Sequence, residues 1–180
     1  ILGIIQGLTE FLPISSSGHL EITRNFLDTN QLPSDNLLMT SILHFATALS
    51  TIIVFRHDIF DLLKGLFSKE NKGSRSYIIK IIIAIIPAGL VGFLLSDQIE
   101  FLFSGNMTLV GIMLIITGLL LFLTKIIKSK NFKLTKNHAL IIGISQAFAV
   151  IPGISRSGAT ICTSIFLGNN KNKAAKFSFL

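Results

Sequence analysis

The chain has 180 residues, of which 50% are hydrophobic and 14% charged, with 15 Phe, no Trp and a mean hydropathy of +0.69. That is too apolar for a soluble domain of this size, so the class is integral membrane protein. The net charge of +7 falls in loops between apolar runs with no aromatic side chains interleaved, which excludes nucleic acid as a partner and leaves membrane lipid.

The first segment, residues 1–17, is apolar but interrupted at mid-length by Pro, Gly and a serine cluster. Backbone amides freed by such a break must be satisfied inside protein or a wet cavity, so this piece is not a simple span. Residues 20–36 form a connection with Arg24 as its only cation. Residues 37–55, 77–96 and 107–124 are each apolar enough to cross a hydrocarbon core of about 30 Å, which takes about 20 helical residues. The connection after the first span carries Arg56, Lys64, Lys69, Lys72 and Arg75, and the one after the third carries Lys125, Lys128, Lys130, Lys133 and Lys136. Both belong in the cytoplasm by the positive-inside rule, whereas 97–106, without Lys or Arg, and 20–36 belong outside. Pro87 predicts a kink in the second span. Residues 139–167 are a second interrupted piece, with Lys136 before it and Lys171, Lys173 and Lys176 after it, and this reads as re-entrant. Cys162 within it has no partner for a disulfide or a cysteine metal site. The sequence opens inside one apolar run and closes in another that looks helical. Both ends are therefore expected to continue in a longer protein, and the 180-residue stretch is expected to be unstable alone.

The two interrupted pieces align at an offset of 140: Gly3 with Gly143, Gln6 with Gln146, Ile14 with Ile154, Ser15 with Ser155, Ser17 with Ser157 and Gly18 with Gly158. An odd number of crossings lies between the copies, so they are expected to be inverted in the membrane and to meet near its midplane. The expected fold is all-α: a single polytopic membrane domain with inverted-topology repeats and re-entrant helix pairs. Repeat one covers about 1–96, and repeat two runs from about 107 to beyond 180.

A charged residue at the centre of an apolar helix costs about 2.5 to 3.5 kcal/mol on insertion scales, so Glu10 and Arg156 inside the interrupted pieces need a reason. The first piece carries Gln6-Gly-Leu-Thr-Glu10 and Ser15-Ser16-Ser17-Gly-His19; the second carries Pro152-Gly153-Ile-Ser155-Arg156-Ser157-Gly-Ala-Thr160. Hydroxyls and amides flanked by Gly just before a helix start make an anion cradle, suited to phosphate. Arg156 is planar and permanently charged, the natural clamp for phosphate oxygens. Gln6 and Glu10, four residues apart, share a helix face and are candidates to orient a water or to hold a divalent cation, Mg2+ or Ca2+. His19 is a candidate general acid or base, and Ser16 or a neighbouring serine a candidate nucleophile.

Simpler readings compete. Glu10 and Arg156 also suit an ion pair pinning the repeats, and the small residues suit close helix packing. His44, with Ser41, Thr47 and Ser50 nearby, reads as an interhelical hydrogen bonder, and His57 and His138 at loop edges read as solvated.

The Gln6-x-x-x-Glu10 pair, the Phe11-Leu-Pro-Ile-Ser-Ser-Ser-Gly-His19 run and Pro152-Gly-Ile-Ser-Arg-Ser-Gly-Ala-Thr160 resemble, in order and spacing, the signatures of the undecaprenyl-diphosphate phosphatase (bacitracin-resistance protein) family. The resemblance implies hydrolysis of a lipid diphosphate partner, undecaprenyl diphosphate, to the monophosphate and inorganic phosphate. That activity recycles the carrier lipid of cell-wall synthesis and protects against bacitracin. It also implies dependence on a divalent cation and a multi-pass location in the bacterial cytoplasmic membrane, with the site facing outward. Homodimerisation stays open. Carried over, the catalytic positions are Glu10, Ser16, His19 and Arg156. The substrate-binding positions are Gln6, Ser15, Ser17, Gly153, Ser155, Ser157 and Thr160. Many family members have Glu where Gln6 stands, so catalytic weight here rests on Glu10. Phosphatases of the phosphatidic-acid type share Ser-Gly-His and Ser-Arg elements but need a His and an Asp where this chain has Cys162 and Phe166. A transporter or flippase of polyprenyl phosphates is the alternative, because inverted repeats with broken helices also serve alternating access.

Overall fold

The computed structural model describes residues 1–27, 33–67, 72–102, 106–127 and 132–180, all of it helix and connection without a strand. The cations Lys69, Lys128 and Lys130 of the two basic connections lie outside these residues.

The first interrupted piece is a helix, a break and a helix: α1 (Leu2–Thr9) and α2 (Ser16–Phe26), which pack against one another. The sequence reading placed a connection from residue 20; the helix instead continues to Phe26. The reason is amphipathicity: Leu20 is buried, while Glu21 and Arg24 pair at 3.1 Å on the polar side, and Arg24 also donates to Thr40 at 2.6 Å.

The expected first span is α3 (Pro33–Val54), which turns sharply at Phe55 into α4 (Arg56–Phe67). Residues 38–54 and 56–67 meet at 73°. Helix α4 falls where a basic connection was expected. Its apolar residues Ile59, Leu62, Leu63 and Leu66 recur at helical spacing beneath its charges, the pattern of a helix lying along the membrane surface.

The second and third spans are α5 (Lys72–Leu94) and α7 (Met107–Ile126), both long and apolar enough to cross a membrane. Their apolar side chains point outward, Phe122 for example being 58% exposed, as lipid-facing surfaces require. Helix α5 runs unbroken through Pro87, so the expected kink leaves the helix continuous. A short α6 (Ser96–Leu102) occupies part of the connection between them.

The second interrupted piece repeats the motif with α8 (Lys136–Phe148) and α9 (Arg156–Phe166), followed by α10 (Lys171–Phe179), which packs back on α9. Helix α8 lies along α5 so closely that a Cβ at Gly143 would sit 2.6 Å from the Ala84 carbonyl oxygen. With little hydrophobic drive between helices in lipid, such small-residue contact supplies the packing. Ala84, Ala139, Ile142 and Phe177 form the buried core of this half. His138, expected to be solvated, instead has a buried Nδ1 with no hydrogen-bond partner among the described residues, beside the fully buried Ala139.

Candidate active site

The two breaks face each other. A Cβ at Gly18 would lie 3.2 Å from the Gly153 Cα, and one at Gly158 would lie 3.0 Å from the Pro13 carbonyl oxygen. Under the offset of 140, Gly18 maps to Gly158 and Pro13 to Gly153. These are therefore one contact made twice, as a two-fold relation between the copies demands.

Each break ends in the same cap. Ser15 caps α2, its hydroxyl accepting from the Gly18 N–H at 3.3 Å, and Ser155 caps α9, accepting from Gly158 at 3.0 Å. Ser15 pairs with Ser17 at 3.2 Å and Ser155 with Ser157 at 3.3 Å. The backbone is strained at one break and glycine-dependent at the other: Ser15 has φ +70° and Gly153 φ +92°. The second break is also fastened to α7, where Thr117 donates to the Gly153 carbonyl at 3.2 Å and accepts from the Ser155 N–H at 3.1 Å.

On this symmetric frame the chemistry is asymmetric. At offset 140, Ser16 corresponds to Arg156, Glu10 to Val150 and His19 to Ala159, so each copy brings what the other lacks. Glu10 is the hub. Its Oε2 accepts from the Ser16 hydroxyl at 2.6 Å and from Gln6 Nε2 at 2.9 Å, while its Oε1 lies 3.5 Å from an Arg156 guanidinium nitrogen. The expected ion pair between the copies therefore forms, but it is not sealed in: the Arg156 side chain is 55% exposed and the Glu10 side chain 20%. Among the described residues the guanidinium has no other partner, which leaves donors for an incoming anion.

His19 holds the Ser15 carbonyl oxygen through Nδ1 at 2.7 Å. A carbonyl only accepts, so Nδ1 carries the proton and the neutral ring leaves Nε2 as its basic atom. Gln6 is almost fully buried, 1% exposed, and its Nε2 also donates to His44 Nδ1 of α3 at 3.1 Å. His44 is thus the interhelical hydrogen bonder expected of it. Gln6 Oε1 is buried and has no partner among the described residues.

The structure gathers Gln6, Glu10, Ser16 and Arg156 directly and sets Ser15, Ser17, His19, Gly153, Ser155 and Ser157 in the two walls. Thr160 stands apart: its hydroxyl bonds the Arg156 carbonyl at 3.0 Å and meets Ser178 of α10, which points it into α9–α10 packing. The sequence reading missed Thr117, because one threonine in an apolar span carries no signal of its own.

A serine hydrogen-bonded to a carboxylate, opposite an open arginine and between two capped helix starts within a multi-pass helical membrane protein, is an arrangement chemically suited to an anion. The bacitracin resistance protein BacA family profile matches residues 1–180, and the chain belongs to this family. It is 55% identical over 180 residues to the undecaprenyl-diphosphatase of Christiangramia forsetii, covering all of this chain and 68% of that protein. It is 44% identical over 181 residues to that of Bacteroides thetaiotaomicron, again covering all of this chain and 68% of the relative. The undecaprenyl-diphosphatase of Methanococcus maripaludis strain C7 is 45% identical over 184 residues, covering all of this chain and 71% of the relative.

Proposed function

We propose that this protein hydrolyses undecaprenyl diphosphate to undecaprenyl phosphate and inorganic phosphate, recycling the carrier lipid of cell-wall synthesis and conferring bacitracin resistance. Family membership and the relatives' common name support the reaction, and the 2.6 Å bond from Ser16 to Glu10 supports the manner in which it proceeds.

Ser16 Oγ attacks the distal phosphorus while Glu10 Oε2 takes its proton; Gln6 holds the carboxylate in place. The bond from the distal phosphorus to the bridging oxygen breaks, and its electron pair leaves with the polyprenyl phosphate. Arg156, one edge turned toward Glu10 and the rest open, binds the equatorial oxygens on which charge spreads. The helix starts of α2 and α9, capped by Ser15 and Ser155, add the positive end of each helix dipole to the binding of the diphosphate. His19 Nε2 then takes a proton from the water that attacks the phosphoserine phosphorus; the bond from phosphorus to Ser16 Oγ breaks as inorganic phosphate leaves, and Glu10 returns its proton to Ser16 Oγ.

The chemistry of the donors fits a divalent cation, Mg2+ or Ca2+. Gln6 Oε1 is a buried acceptor without a donor among the described residues, beside a carboxylate. No cluster of three or more His, Cys, Asp or Glu able to hold a metal occurs among the described residues, so Glu10 and Gln6 would hold the ion together with diphosphate oxygens. When bound, it supplies neutralisation of the diphosphate charge.

Family membership supports a location of this multi-pass protein in the bacterial cytoplasmic membrane with its site opening outward, and the alternation of loop cations supports the topology this needs. The deciding experiment is phosphate release from undecaprenyl diphosphate by the full-length protein, with and without divalent cation, beside folded Glu10→Ala and Arg156→Ala variants. Metal-dependent release, lost in both, is expected. Lipid binding through Arg156 without release would make the protein a transporter of polyprenyl phosphates instead.

A further inference from the structure

The proposed reaction uses no residue of the α9–α10 corner, yet a cavity of about 560 Å³ opens there, between α4, α5, residues 132–134 and the start of α10. None of the active-site residues lines it. Its charged side chains are Asp58, Asp61, Lys80, Lys133, Lys173 and Lys176. Lys176 is paired with Asp58. That leaves Lys80, Lys133 and Lys173 against Asp61, and the cavity is cationic.

Lys80 is the informative member. It sits within the spanning helix α5, in the run Ile78-Ile79-Lys80-Ile81-Ile82-Ile83, is half-buried, and has no ion pair or hydrogen bond among the described residues. An ammonium in such an apolar run is costly unless it reaches water or an anion, which a solvated cavity provides. Its flexible apolar stem lets the charge reach that cavity. The floor is built and buried: Asn169 donates to Ser164 at 3.1 Å, and the two are 2% and 1% exposed. The corner itself is fixed by Gly168, φ +88°, whose carbonyl accepts from the Phe132 N–H at 3.1 Å while the Phe132 ring covers the position a Cβ would need. Tyr77, Leu134 and Phe177 make the remaining wall apolar.

Cations at the mouth and apolar walls behind them, near the lysine-rich end of a spanning helix, match a group that is charged at its head and greasy below it. We propose that this cavity is a second anion site, separate from the catalytic cradle, that takes the phosphate headgroup of a membrane lipid. The same cations would accept free phosphate, so the test must separate the two sources.

The experiment is thermal unfolding of the full-length protein in neutral detergent with added phosphatidylglycerol, phosphatidylcholine or inorganic phosphate. A ligand that binds only the folded state raises Tm by mass action. Phosphatidylglycerol is expected to raise Tm well above the effect of phosphatidylcholine. That increment should fall to about half or less in Lys80→Gln, return in Lys80→Arg, and persist in Arg156→Ala. The double variant Lys133→Gln/Lys173→Gln changes two exposed side chains, should lower the increment likewise, and carries the test if Lys80→Gln fails to fold. An equal rise with inorganic phosphate, lost in the same variants, supports the anion site with free phosphate as its occupant. Equal rises with both lipids, an increment untouched by the lysine substitutions, or one lost in Arg156→Ala would overturn the proposal, the last by placing the ligand in the catalytic cradle.

Discussion

At the scale of single residues, the site separates serines that look alike in sequence. Ser15 is spent on the helix cap and on Ser17, whereas Ser16 donates a hydrogen bond to Glu10 at 2.6 Å. Ser16→Ala is therefore expected to lower kcat by about a thousandfold with the fold intact, while Ser17→Ala costs about tenfold or less. Single-substitution kinetics of phosphate release would check this, and equal losses at both positions would remove Ser16 from the nucleophile's role. His44 acts one step further out. His44→Leu leaves Gln6 Nε2 with Glu10 as its sole acceptor and frees the amide to turn, so kcat should fall about tenfold with KM little changed. His44→Gln, which keeps an acceptor, should recover most of it. Gln6, Glu10, Ser16 and Arg156 were legible beforehand because each is an expensive polar group inside an apolar piece. Thr117 and Lys80 were not, since one polar residue in a long apolar run leaves the average of the run unchanged.

At the scale of elements, the interrupted pieces could be read as helix, break and helix from their Pro, Gly and Ser clusters, and the three spans from length and apolarity. What escaped were the helices with mixed surfaces, α2, α4 and α6. A hydropathy argument assigns charged stretches to connections, yet in α2 Leu20 is buried while Glu21 and Arg24 pair with each other, and α4 alternates its faces at helical period. The breaks also carry a requirement that sequence alone shows only as a glycine. Gly153 has φ +92°, and a Cβ there would meet the Val110 carbonyl at 2.6 Å and the Met113 Cβ at 2.8 Å. Gly153→Ala thus combines backbone strain of about 1 to 3 kcal/mol with overpacking of similar size, and should lower Tm and abolish activity together. Gly7→Ala, where a Cβ meets nothing within 4 Å, is the control and should leave both unchanged. Unfolding curves of the two variants in detergent decide the point.

At the scale of the whole molecule, the site depends on how the two copies meet. The copies touch through the reciprocal contacts of Gly18 with Gly153 and Gly158 with Pro13, so the cradle exists only where the two breaks meet. The lysine-lined cavity sits among α4, α5 and α10, whose ends carry the basic connections, whereas α6 between the second and third spans brings Asp97 and no cation. If the positive side is cytoplasmic, the proposed outward opening has the carrier lipid dephosphorylated from the opposite face. Cysteine scanning tests this in intact cells. Cys162 is 1% exposed, and replacing it with Ser gives a background without this thiol. On that background, Asp97→Cys should react with an impermeant maleimide added outside, and Lys133→Cys should react only once the membrane is permeabilised, both positions being exposed. The reverse pattern would put the lysines outside. The cradle would then open toward the cytoplasm, and the protein would act on diphosphate lipid newly made inside rather than on lipid returned from the outer face.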